Sequence, residues 1–186
     1  MILYYFLIAF FLVCAIAVPF KKILFFPPLF LITFITCFRG VNIGNDTEKY
    51  IMLFREISKS VISDFIPRYE IGYVYLNKTI YSIFANEQAL LIVTGLITWG
   101  CVSFFIYKKS ENPSYSLFLI VTFGFASFFM SGIRESLAIV ISLIGFFFVQ
   151  KKQFVPFIIV VFLATMFHNT ALAFLLAYPV YHLKFS

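Results

Sequence analysis

Residues 87–109, EQALLIVTGLITWGCVSFFIYKK, decide the fold. Glu87 opens the stretch, Lys108-Lys109 close it, and no charged residue stands between them. About 20 apolar residues suffice to cross roughly 30 Å of hydrocarbon, and the 87–107 run meets that length. Asn86 suits an N-cap and Glu87 is favourable in a first helical turn, so Glu87 reads as a capped start and not as a catalytic group. The lysine doublet supplies direction. Cytoplasmic loops accumulate Lys and Arg, so this helix is expected to run inward.

The same punctuation recurs along the chain. Residues 2–20 form an apolar run that ends at Lys21-Lys22; with no basic n-region and no small-x-small site, it reads as a retained first span and not a signal peptide. Residues 23–38 return outward, with Pro27-Pro28 predicting an irregular start. Residues 114–130 run outward, Ser131-Gly132 turn, and 133–149 come back to Lys151-Lys152. Two shorter runs, 154–167 and 170–183, reach out and back. As α-helices of roughly 21 Å they make a strained hairpin across a bilayer, so one of them is expected to be a half-helix or re-entrant segment. The expectation is an all-α fold: a polytopic transmembrane helical bundle of about seven spans or partial spans. Residues 1–186 then form a single integral membrane domain, with the N-terminus outside and an extracytoplasmic loop at 39–86.

Composition agrees. The chain is 62% hydrophobic and 12% charged, with 28 Phe, against about 25% charged residues in ordinary soluble domains. The net charge of +6 is divided unevenly. In this topology Lys21, Lys22, Lys108, Lys109, Lys151, Lys152 and Lys184 face Glu111 alone on the inside, while the outer Lys/Arg and Asp/Glu cancel. The basic excess is therefore a topology signal and argues against nucleic-acid binding. Cys14, Cys37 and Cys101 sit inside apolar runs, as small hydrophobes do, with no metal or disulfide spacing.

The loop is richer. Residues 39–47, RGVNIGNDT, are turn chemistry, and Asp46 reads most simply as the N-cap of a short helix over 47–57. A second helix is predicted over 70–84, with Ile71, Val74/Tyr75, Ile80 and Phe84 as an apolar stripe. Both are expected to lie along the membrane surface as amphipathic helices. Tyr50, Phe54, Phe65, Tyr69, Tyr73, Tyr75 and Tyr81 form either an interfacial aromatic belt or a platform on which sugar rings stack.

Four charged or titratable residues then fall at one membrane face: Arg39, Asp46, Arg134 and His168. Ionisable groups at a hydrocarbon boundary mark functional sites by default. Arginine's fork matches phosphate oxygens, and two arginines at this face suggest an anionic head group; snorkelling, or an Arg134–Glu135 salt bridge, is the plain alternative. Beyond N-capping, Asp46 could act as a general base. His168 could serve as acid/base or phosphate donor, with Asn169 and Thr170 capping the helix that follows. A shared diphosphate would draw both arginines, Asp46 and His168 into one outward cavity. No metal-ligand cluster, Gly-rich phosphate loop or nucleophile elbow is present, so no metal or cofactor is expected.

The series Arg39, Gly44-Asn45-Asp46-Thr47 and Tyr50, then Ser131-Gly132-Ile133-Arg134-Glu135, then Phe167-His168-Asn169-Thr170-Ala171 resembles the EpsG family over about residues 39–183. These are Wzy-like polymerases of bacterial exopolysaccharide, capsule and O-antigen. Arg39, Gly44, Asp46, Thr47 and Tyr50 match the family's R…G-x-D-T-x-x-Y element, Arg134 its intramembrane arginine, and Phe167, His168, Thr170 and Ala171 its F-H-x-[ST]-A element. The resemblance implies a multi-pass enzyme of the bacterial inner membrane. It would join oligosaccharide repeat units carried on undecaprenyl diphosphate at the outer face, alongside other polysaccharide-assembly membrane proteins. It assigns Asp46 and His168 as catalytic and Arg39, Arg134, Thr47 and Tyr50 as substrate-binding. Family members are longer, so the chain is expected to correspond to the N-terminal part of that fold. A flippase-like transporter of the same lipid, or an inactive truncated polymerase, are the alternative readings.

Overall fold

The computed structural model describes residues 2–17, 22–66 and 68–183; the expectations placed on Phe20, Lys21 and Lys184 lie outside them. Among the described residues the regular structure is entirely helical. In chain order the α-helices are α1 (Ile2–Ala17), α2 (Phe26–Cys37), α3 (Thr47–Lys59), α4 (Ile71–Phe84), α5 (Glu87–Lys109), α6 (Pro113–Thr122), α7 (Phe125–Ser131), α8 (Ile133–Gln150), α9 (Phe154–Thr165) and α10 (Ala177–His182).

The longest helix obeys its local signals. Asn86 Oδ1 accepts the Gln88 amide at 2.8 Å, satisfying one of the orphan donors of the first turn, and Lys108 and Lys109 occupy the last turn of α5. Its partners are placed by side chains along its length. Trp99 donates from Nε1 to Thr36 Oγ1 at 2.9 Å, and Gln88 donates to the Cys37 carbonyl at 2.6 Å, so α2 runs antiparallel to α5. Phe104 and Phe105 meet Phe147, and Lys109 bonds Gln150, so α5 and α8 are parallel. Trp99, Phe11, Phe25, Leu117 and Phe129 close the central cluster.

Of the expected seven spans or partial spans, helix length and composition support two to three. Among the described residues, α5 and α8 are long and apolar enough to cross a membrane alone, with α6 and α7 a third if taken together. The expected 114–130 span is bent by 64° between α6 and α7. Gly124 makes the break: at φ 83° it takes the left-handed conformation that glycine adopts without steric penalty, ending α6 and restarting the chain as α7. The apolar helices 5–16, 26–37 and 154–165 are shorter than a full span.

The last run resolves its length problem in an unexpected way. Residues 169–176 form a 3-10 helix and α10 completes the return, with His182 Nε2 at 3.0 Å from the Val149 carbonyl at the far end of α8. A 3-10 helix rises about 2.0 Å per residue against 1.5 Å in an α-helix, so fourteen residues extend about 25 Å and match the end of α8.

The loop helices are anchored on the bundle. Ile51, Phe54 and Ile57 of α3 and Tyr73, Val74 and Ile80 of α4 are buried against Leu90, Leu91, Ile133 and Leu137 of α5 and α8. Each such side chain contributes about 1.5–3 kcal/mol when fully buried. Of the predicted stripe of α4, Val74 and Ile80 are buried, joined by Tyr73 and Asn77, while Ile71, Tyr75 and Phe84 are exposed. A two-pronged Arg55–Glu87 ion pair ties α3 to the start of α5. One end of the bundle thus carries Arg39, Glu70, Glu87 and Arg134, and the other carries Lys108, Lys109 and Lys151.

Candidate functional site

Arg39 folds back over the end of α2. Its Nη1 donates to the Thr36 carbonyl at 2.5 Å and its Nη2 to the Met130 carbonyl at 3.0 Å. Both acceptors belong to last turns, α2 and α7, whose carbonyls lack intrahelical donors and carry the negative end of the helix dipole. The guanidinium is 4% exposed, its Nε has no acceptor, and no carboxylate contacts it among the described residues. Burial lowers its pKa to about 10, which leaves it a cation at neutral pH.

Met130 O also receives Thr47. The Thr47 hydroxyl reaches the Ile43 carbonyl at 2.6 Å and Met130 O at 3.3 Å, and Asn45 N donates to Ser131 Oγ at 3.1 Å. Gly44 lies inside this clamp at φ +94°; a Cβ there would stand 2.6 Å from Thr47 Oγ1 and 2.8 Å from Met130 O. The 39–47 loop is thereby locked onto the α7–α8 junction.

Arg134, one turn beyond that junction, is paired. Its Nη1 donates to Glu70 Oε2 at 2.6 Å, and not to the neighbouring Glu135. The side chains of Arg134 and Glu70 are 24% and 12% exposed. Tyr69 and Tyr73 present ring faces at 5.3 and 6.0 Å from the guanidinium, and Tyr50 stands edge-on to Tyr73. The expectation that a diphosphate must neutralise both arginines loses its premise at Arg134, because Glu70 already does so. It keeps that premise at Arg39.

The aromatic platform divides in the same way. Phe54 and Tyr73 are buried and unavailable for stacking, whereas Tyr75 and Tyr81 are exposed. Burial raises the Tyr73 phenol, whose oxygen has no partner among the described residues. Asn77 Oδ1, Arg134 Nε and Ser136 Oγ are likewise buried without a bond, all on α4 and α8. Buried polar atoms are rarely left so, and ordered water is the usual partner.

Asp46 occupies the N-cap position of α3, but its side chain does not cap. Its Oδ1 pairs instead with Lys49 Nζ at 2.7 Å, both groups being exposed. His168 is where capping is found: Nδ1 accepts the Thr170 amide at 3.3 Å and lies 2.8 Å from Thr170 Oγ1. The cap is His168, and not Asn169 or Thr170. An accepting Nδ1 places the proton of the neutral ring on Nε2, which is left to donate outward. Phe167 and Ala171 pack with Ala138 and Ala164, holding the histidine between anchored neighbours.

Arg39, Thr47, Tyr50 and Arg134 therefore converge around the α7–α8 junction. Asp46 sits on the exposed rim of the same loop. His168 lies at the end of α9, joined to α4 through the bond from Tyr73 N to the Met166 carbonyl at 3.3 Å. Between them, Tyr69, Glu70, Thr165, Met166 and Asn169 line a polar cavity of about 480 Å3. Tyr69 was already singled out among the loop aromatics, but Glu70 was not expected as a site residue: an acid at the start of a helix reads as a capping residue, and its partner is 64 positions away.

Long apolar helices, with a polar collar sealed over one end, define a membrane protein. The family is specific: residues 22–186 match the EpsG family model, and the chain belongs to that family. This places it among membrane proteins of polysaccharide biosynthesis. Neither comparison, with curated proteins or with solved structures, gives a match.

Proposed function

We propose that the protein polymerises lipid-diphosphate-linked oligosaccharide repeat units by glycosyl transfer at the outer face of the bacterial inner membrane. The carrying observation is Arg39, a buried cation held by two carbonyls with no carboxylate among the described residues to balance it. An anionic group arriving beside the loop would supply the missing charge, and a diphosphate leaving group is such an anion. Attack of a sugar hydroxyl on an anomeric carbon requires a base and stabilisation of the departing diphosphate. Asp46, on the open rim beside Arg39, is suited to take the hydroxyl proton. His168 Nε2–H is suited to donate to phosphate oxygen, and the cavity beside Glu70 and Asn169 to receive a sugar ring.

Asp46→Asn separates this reading from a flippase-like transporter of the same lipid. Polymer in the membrane fraction should fall at least about 100-fold, as loss of a general base does, while binding of the lipid-linked unit persists. A variant that still makes polymer removes the catalytic assignment. Arg39→Lys should impair polymer formation nearly as much as Arg39→Ala, because lysine keeps the charge and loses the fork that spans Thr36 and Met130. A fully active lysine variant would rule that out.

The proposed topology places the N-terminus and the 39–86 loop outside and each lysine doublet inside. Single cysteines at positions 49, 109 and 151 test it with an impermeant thiol reagent: 49 should label from outside in intact cells, 109 and 151 only after permeabilisation. Outside labelling of 109 overturns the arrangement.

A further inference from the structure

The lysine-rich end, opposite the Arg39 collar, carries a feature that glycosyl transfer does not use. The bend between α6 and α7 opens an apolar groove of about 580 Å3 against α5 and α8. Its walls include Ile106, Leu119, Ile139 and Leu143, and its mouth holds Lys109, Ser110 and Ser116. The volume lies within the range of about 300–1,000 Å3 usual for small-molecule sites. We infer that this groove binds an anionic phospholipid, with an acyl chain along the bend and the phosphate at the Lys109–Ser110–Ser116 mouth.

Charge complementarity selects the occupant. Lys109 Nζ spends one donor on Gln150 and lies 4.7 Å from the Phe147 ring centre, so two N–H groups remain for a phosphate. The hydroxyls of Ser110 and Ser116 face one another at 2.7 Å, a shared bond that leaves one hydrogen and spare lone pairs at the mouth. Lys108, Lys151 and Lys152 add positive charge around Lys109 against Glu111 alone. Within a bilayer the groove is apolar against apolar tails, so packing alone does not choose one lipid over another; the headgroup does.

Trp99 reports on the groove from behind. It is the chain's single tryptophan, it is buried, and it stands edge-on to Phe129, which lines the groove, at 5.8 Å. The full chain in detergent micelles is titrated with phosphatidylglycerol carrying a dibrominated acyl chain, and separately with phosphatidylcholine carrying the same chain. Bromine quenches tryptophan only at short range. Half-quenching by phosphatidylglycerol is expected at a mole fraction about fivefold lower, the factor expected for one engaged lysine. Lys109→Gln should remove that preference, and Ile139→Phe, which fills the groove, should weaken quenching by both lipids. Equal quenching by the two lipids in the unaltered protein overturns the inference, whatever the variants do. So does a preference that survives Lys109→Gln, or quenching that ignores Ile139→Phe.

Discussion

Gly44→Ala should detach the 39–47 loop from the bundle and abolish function. The new methyl would lie 2.8 Å from a backbone oxygen and 2.6 Å from the Thr47 hydroxyl, in a chain segment already at φ +94°. A non-glycine residue held at such a φ costs about 1–3 kcal/mol, and relief by movement breaks the bonds of Thr47 and Arg39 to Met130 O at about 1 kcal/mol or more each. The expected loss is about 3–5 kcal/mol of local stability. Gly40→Ala is the control in the same loop. A Cβ there meets nothing within 4 Å, so it should stay within about 0.5 kcal/mol of the parent. Thermal unfolding in micelles, with polymer formation in cells, separates the two. A Gly44→Ala protein as stable as Gly40→Ala would mean that the clamp does not hold the loop.

Glu70→Gln should be the second severe change. It leaves the Arg134 guanidinium, three-quarters enclosed among Tyr50, Tyr69 and Tyr73, without a counter-charge. Breaking a buried ion pair on one side typically costs about 3–5 kcal/mol, since the remaining charge is desolvated and unpaired. Replacing both members, Glu70→Gln with Arg134→Met, should recover most of that stability because no orphan charge remains. Polymer formation should not recover with it if Arg134 contacts substrate. A single Glu70→Gln substitution with unchanged melting would show that the pair contributes nothing to holding α4 over α8.

The sequence made the two-ended distribution of charge legible, because lysine doublets at run ends are a local signal with a known cause. The loop motif was legible as a cluster: Arg39, Gly44 and Thr47 meet at the Met130 carbonyl, while Tyr50 packs edge-on to Tyr73 instead. Other details depended on contacts that no local pattern carries. Asp46 reached the N-cap position but turned to Lys49, since an adjacent ammonium competes with the backbone amides for the same carboxylate. Gly124 looked like one more small residue in an apolar run, and only its left-handed backbone breaks the span. Glu70 resembled an ordinary residue before a helix until folding brought Arg134 to it. His168 stood out by interrupting an apolar stretch, but nothing local revealed that one ring nitrogen is committed to the Thr170 amide.

Helix lengths carry a last consequence. α5 has 23 residues and α9 has 12, about 34 Å and 18 Å of axis at the usual rise. A bilayer in contact with both flanks cannot match the two at once. On the α9 flank, where the return segment over 169–182 still extends about 25 Å, lipids facing α9 itself would compress part of the way towards the shorter helix, at fractions of a kcal/mol per ångström of deformation. In the proposed topology the protein would thin the lipid along the α9 side, where His168 follows the helix and Thr165 and Met166 line the cavity beside Glu70. If the proposed lipid-diphosphate substrate enters there, its diphosphate would reach the level of the collar without being pulled out of the bilayer.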